Sequence, residues 1–169
     1  MEFDGRLLHC PANLLPLSPV TFLKRAAALY GGRTSIIYGT RAFTWADTYC
    51  RCLKLASALV HHFHVSPGDL VAAMAPNIPE IYELHYAVPM AGAIISPLNT
   101  KLDSATLALL LHQLRPKIIF VDSQFLPILL QSLSQNNANS IKPAAVVIVI
   151  PTGPPEVPTY DGVLAMGSD

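Results

Sequence analysis

Apolar positions follow two rhythms along the chain. Cys52, Leu55, Ala56, Leu59 and Phe63 recur at helical spacing and predict a helix over roughly 46–64. Four other stretches, "LVAAMA", "AIIS", "KIIFV" and "AAVVIVI", are short, continuous and apolar, the mark of strands buried on both faces. Between them lie segments of helical length: one from about Pro79, "DSATLALLLHQLR" opened by Asp103 or Ser104, and "SQFLPILLQSLSQ" opened by Asp122 or Ser123. The resulting βαβαβαβ order predicts a mostly parallel sheet with helices on both faces.

Two elements precede that unit. "SPVTFLKRAAALYGG" is a predicted helix with Ser18 as cap, Pro19 in the first turn and Gly31 or Gly32 at its close; Phe22, Ala26 and Leu29 share one face. "TSIIYGTRAFTW" places two short β-rich runs around Gly39-Thr40 and predicts a hairpin, after which Thr44 caps the next helix with Asp47 as its capping-box partner. Pro89 is expected to kink or end its helix near Val88. The organisation expected is a lead segment over 1–17, an α/β unit over 18–150, and a Pro-rich extended linker over 151–169 with one helical turn at its end.

Composition adjusts this picture in one respect. Of the 169 residues, 51% are hydrophobic and 13% charged, against roughly 25% charged in an average domain. Part of the surface is therefore expected to be covered by something else. The formal net charge of +0 offers no electrostatic basis for binding nucleic acid. No apolar run approaches the ~20 residues of a membrane span, and neither end carries a recognisable targeting signal. Cys10, Cys50 and Cys52 form an odd set, and positions two apart on a helix point in different directions, so all three are taken as small buried or half-buried residues of a reducing compartment.

Candidate chemistry is sparse. GxGxxG, GxxxxGK[ST] and GxSxG are all absent. His61 and His64 share a face of the predicted helix, but no acid or cysteine follows at ligand spacing, so no metal site is expected. Asp103 and Asp122 end strands yet directly precede helices, which makes them caps. Tyr82, Glu83 and His85 have no sequence partner and are assigned a core or interface role. "LHYAVPMAGAIISPLNTKLDS" sets Pro89, Gly92, Pro97 and Asn99 beside a very apolar strand. "APNIPE" and "SPLNT" both leave the sheet at its carboxyl edge, where open α/β sheets bind ligands. A ligand crevice or a seat for further protein is the expectation there.

These same residues resemble plant acyl-activating enzymes of the adenylate-forming acyl-CoA synthetase and ligase superfamily. The likeness runs through "ANLLPLSPVTFLKRAAALYGGRTSIIYGTRAFTWADTYCRCLKLASAL", "VSPGDLVAAMAPNIPEIYELHYAVPMAGAIISPLNT" and "KIIFVDSQFLPIL". It continues in "YDGVLAMGSD", which is similar to the stretch just before the family's phosphate-binding loop. The resemblance implies an incomplete N-terminal subdomain of the adenylate-forming fold. It implies ATP, magnesium and coenzyme A as cofactors of the full-length family, which converts a fatty or other carboxylic acid to its acyl-CoA through an acyl-adenylate. The family's lysine-bearing Ser/Thr/Gly-rich loop, aromatic-Gly-x-Thr-Glu segment and Arg-Thr-Gly-Asp segment do not occur in this sequence. No catalytic, cofactor-binding or metal residue is therefore assigned, and the substrate-binding residues are unknown.

The expected function is the N-terminal part of an acid–CoA ligase, inactive as an isolated chain, in cytoplasm or peroxisome. The alternative is a non-catalytic interaction module that pairs with a full-length relative or a separate C-terminal half; self-association is the other partner expectation. An unrelated flavodoxin-like binding domain ranks last, because the turn after the first parallel strand, "APNIPE", lacks glycine.

Overall fold

A computed structural model describes residues 18–137, 145–150 and 157–168. The lead segment 1–17 with Cys10, residues 138–144, residues 151–156 of the linker, and Asp169 lie outside the described residues.

Helix α1 (Pro19–Tyr30) starts where Ser18 and Thr21 cap each other: the Thr21 N–H donates to Ser18 Oγ at 3.3 Å, and the Ser18 N–H to Thr21 Oγ1 at 3.0 Å. The face it buries is not the expected one. Leu23 is buried, while Phe22 and Leu29 are 52% and 66% exposed. This helix is apolar on more than one side, so periodicity cannot choose its inner stripe. Packing selects the side on which Leu23 is flanked by the small, half-buried Ala26 and Ala27.

Strands β1 (Thr34–Tyr38) and β2 (Arg41–Thr44) form the antiparallel hairpin. A register irregularity between Thr34 and Ile36 places the Ser35 hydroxyl 3.1 Å from the Thr44 carbonyl and 2.6 Å from the buried Thr48 hydroxyl. Helix α2 (Trp45–His61) opens with the reciprocal Thr44/Asp47 capping box. It buries Cys52, Leu55, Ala56 and Leu59, with Phe63 packed against the same core.

The main sheet contains β3 (Leu70–Met74), β4 (Ile94–Pro97), β5 (Ile118–Asp122) and β6 (Val146–Ile150), all parallel, in the order β4-β3-β5-β6. Helix α3 (Pro79–Met90) connects β3 to β4, and α4 (Ser104–Leu114) connects β4 to β5. A 3-10 turn at Ser123–Phe125 leads into α5 (Leu126–Asn137) before β6. Alternation along the strands divides the core. Val71, Ala73, Ile118, Phe120, Ile148 and Ile150 pack with α2 and α3 on one face. Ala72, Met74, Ile119, Val121 and Val149 pack with Leu107 and Leu111 of α4 and Leu129 of α5 on the other.

Pro89 lies in the last turn of α3, which ends at Met90, two residues beyond Val88. The proline sits in the last turn, so one missing N–H costs a single ladder bond, and Ala91 N–H still reaches the Ala87 carbonyl at 3.0 Å. Gly92, at φ +76°, then turns the chain into β4. Beyond residues 151–156, residues 157–168 fold back onto the core. The expected single turn is a two-turn helix, α6 (Tyr160–Met166), with Tyr160 and Val163 buried.

Candidate functional site

The two strand ends singled out in the sequence do meet. β3 runs out into Ala75-Pro76-Asn77, and Pro79 takes the first position of α3 behind Ile78, an N-cap without a side-chain bond. β4 runs out into Leu98-Asn99-Thr100, where Asn99 Oδ1 accepts the Lys101 N–H at 2.9 Å. Between them lies a crevice of about 540 Å³, closed on one side by Ile81 and His85. A second cavity of about 750 Å³ lies between α3 and the α1–hairpin side, lined by Pro19, Ile36–Tyr38, Tyr82 and Tyr86. Asn77, Ile81 and His85 line both.

The chemistry of these cavities is that of uncharged hydrogen bonding. His85 Nδ1 lies 2.7 Å from the Ile81 carbonyl, so it carries the proton and donates. Tyr82 and Tyr86 meet edge to face with hydroxyls 3.4 Å apart, and burial pushes the Tyr82 phenol up. Among the described residues, no lysine, arginine, aspartate or glutamate lines either cavity. A phosphate chain would find no counter-charge there, and a magnesium ion no carboxylate. The lining residues do not fit ATP or its metal.

Charge is instead collected behind α3. Glu83 is buried completely. Arg51 Nε of α2 donates to its Oε1 at 2.5 Å and Nη2 to its Oε2 at 3.1 Å, while the Tyr160 hydroxyl of α6 donates to Oε2 at 2.6 Å. Burial opposes the Arg51 charge, but the hydrogen bonds and charge of Glu83 outweigh it and hold Arg51 above its ordinary value. Burial, reinforced by the Glu83 charge, pushes the Tyr160 phenol well up, so it stays a neutral donor. One turn earlier, the buried Glu80 receives Arg41 Nη1 at 2.7 Å. Arg51 also lies over the Phe43 ring, 5.1 Å from its centroid.

The remaining candidates are structural. Asp103 Oδ1 accepts the Thr106 N–H at 2.7 Å, a bond that holds its carboxyl below the usual range. Asp122 Oδ1 accepts the Gln124 N–H at 3.0 Å. His61 and His64 do not share a helix face: α2 ends at His61, and His64 is left-handed at φ 53°, with its carbonyl accepting from Lys117 Nζ. Among the described residues, no three His, Cys, Asp or Glu side chains converge as metal ligands, and no helix is long and apolar enough to cross a membrane. The Arg51–Glu83–Tyr160 cluster was missed in the sequence because its members are 32 and 77 residues apart. The available signal was a glutamate next to Leu84 and one turn from Ala87 on an inward-facing helix.

Residues 23–162 match the family of AMP-binding enzymes. The chain is 45% identical over 144 residues to butyrate–CoA ligase AAE11, peroxisomal, of Arabidopsis thaliana, covering 85% of this chain and 25% of that protein. It is 51% identical over 127 residues to the peroxisomal benzoate–CoA ligase of the same plant, covering 75% and 22%. Against the peroxisomal trans-cinnamate:CoA ligase of Petunia hybrida it is 48% identical over 120 residues, covering 71% and 21%. The chain thus spans about a quarter of the length of these relatives and corresponds to their N-terminal part. Its fold is shared with a benzoate CoA ligase from Burkholderia xenovorans, with a TM-score of 0.74 at 19% identity over 88% of this chain and 28% of that one. It is shared also with the N-terminal domain of FACL13 from Mycobacterium tuberculosis, with a TM-score of 0.71 at 18% identity over 90% and 37%.

Proposed function

The chain belongs to the AMP-binding enzyme family, and from that premise we propose that it is the N-terminal part of an acid–CoA ligase. In such an enzyme ATP and magnesium activate a carboxylic acid as its acyl-adenylate, and coenzyme A then takes the acyl group. The observation that carries this reading is the 45–51% identity to plant acid–CoA ligases over most of the chain. Residues 18–150 supply the α/β subdomain, 1–17 lead into it, and the stretch from 151 connects it to phosphate-binding elements that this sequence does not contain.

The contribution of this chain's own residues is a rigid framework. Arg41–Glu80 and Arg51–Glu83 clamp α3 against β2 and α2, and α3 walls both cavities. Among the described residues, no charge suited to phosphate lines either cavity, and the isolated chain is expected to be inactive. Cytoplasm or peroxisome is the compartment, by likeness to relatives named as peroxisomal. A complementary C-terminal portion is the partner. The alternative, a non-catalytic module, draws support from the exposure of Phe22, Leu29 and Ile37, and predicts that adding this chain changes the rate of a full-length relative.

The test is carboxylate-dependent exchange of pyrophosphate into ATP. The chain alone is expected to stay at background with fatty and aromatic acids. A chimaera in which it replaces the aligned N-terminal part of the benzoate–CoA ligase is expected to exchange. Exchange by the isolated chain that survives repurification overturns its inactivity. A folded but inert chimaera beside an active parent ligase overturns the ligase reading.

A further inference from the structure

The buried Glu83 carboxylate does more than neutralise Arg51. Its Oε2 also accepts the Tyr160 hydroxyl at 2.6 Å, and this bond ties α6 to a helix 77 residues earlier. The Tyr160 ring meets Phe120 of β5 edge to face, with centroids 6.0 Å apart. Upstream of that ring, Val149 N–H donates to the Pro158 carbonyl at 2.9 Å, so the segment enters along the open edge of β6. Downstream, three contacts lay it along α2. His62 Nε2 lies 2.8 Å from the Met166 carbonyl, the Ser168 N–H donates to Ser57 Oγ at 3.3 Å, and Gly167 presses on the Lys54 carbonyl. A Cβ at Gly167 would collide with that carbonyl, at 1.8 Å from the oxygen.

We propose that Glu83, held by Arg51, is a positioning residue that latches the segment 157–168 across β6 and α2, and so fixes where the chain departs after Ser168. Two properties make this a latch and not simply more core. The strap is short, and among the described residues its helix packs mainly on α2 and β6, so its local opening is expected to cost less than opening of the central sheet. Its central fastening is a charge-assisted hydrogen bond in a dry site, the kind whose loss is felt most. The Arg51–Glu83 pair survives without Tyr160; α6 has no substitute for Glu83. The inference rests on the ligase reading only for its purpose, since there the departing chain leads to the phosphate-binding elements. Its test needs no ligase activity, so the two fail separately.

The experiment compares amide hydrogen exchange in the full 169-residue chain with that in Tyr160→Phe and in Gly167→Ala. The first keeps the ring against Phe120 and deletes the bond. The second disturbs the strap about two turns away, without touching the buried charges. Amides of 160–168 are expected to exchange roughly 10- to 100-fold faster in Tyr160→Phe, the size of a lost hydrogen bond to a charged group, and faster than in the parent chain in Gly167→Ala, whose added Cβ collides with the Lys54 carbonyl. Amides of β3 and β5 are expected to change less than about threefold, as for a unit that opens alone. Uniform acceleration across strap and sheet overturns the proposal, since Tyr160 would then be ordinary core. Unchanged exchange in 160–168 overturns it too. If Tyr160→Phe does not fold, Gly167→Ala decides between these outcomes by itself.

Discussion

Replacing Arg51 by methionine isolates the cost of the buried carboxylate beside it. The Glu83 side chain is 0% exposed and Arg51 24%. Methionine keeps an unbranched apolar stem and removes both guanidinium bonds, leaving Glu83 with the Tyr160 hydroxyl and no counter-charge. Breaking a buried pair from one side costs about 3–5 kcal/mol. Arg51 is a quarter exposed and one hydrogen bond remains, so the expected loss is about 3 kcal/mol, a large share of the roughly 5–15 kcal/mol that holds a domain together. Urea unfolding followed by far-UV circular dichroism measures it as a lower midpoint at unchanged slope.

The triple variant Arg51→Met/Glu83→Met/Tyr160→Phe removes every polar member at once and is expected to recover most of the loss, because apolar replacement of a buried ion pair is often neutral. A single-variant cost below about 1 kcal/mol, or a triple variant less stable than Arg51→Met, refutes the reasoning.

Two further outcomes follow from the geometry. Asp103→Ala is expected to lower the urea midpoint and loosen the first turn of α4 while Asp103→Asn retains it. The carboxyls of Asp47, Asp69 and Asp103 are all depressed by hydrogen bonds, so their contribution is present above the ordinary aspartate value of about 3.9 and lost as pH falls through the lower folded values; a parent and Asp103→Asn pair with identical acid limbs counts against the cap. Phe22, Leu29 and Ile37 are more than half exposed, so the folded chain is expected to bind a hydrophobic dye or self-associate at micromolar concentration, relieved by a complementary C-terminal portion. A compact, dye-silent monomer would show that this surface needs no cover.

What was legible in the sequence was short-range. The Ser18, Thr44 and Asp103 caps, the Gly39-Thr40 hairpin, and the four buried strands depend on residues within a few positions of each other, and each is read from spacing alone. That "APNIPE" and "SPLNT" leave the same edge also followed, because parallel strands put their carboxyl ends together; that they share one crevice depends on β3 and β4 being neighbours. Tertiary packing decided the rest. It chose the Leu23 side of α1 over the Phe22 side, since a helix with apolar residues on more than one side has no single inner face until a neighbour supplies one. It set the order β4-β3-β5-β6, which apolar runs of similar composition cannot distinguish. It also turned Glu83 from a glutamate without a partner into the centre of a charged cluster. Arg51 and Tyr160 are brought to it from 32 and 77 residues away, and a carboxylate is stable in a dry core only where the fold delivers its counter-charge.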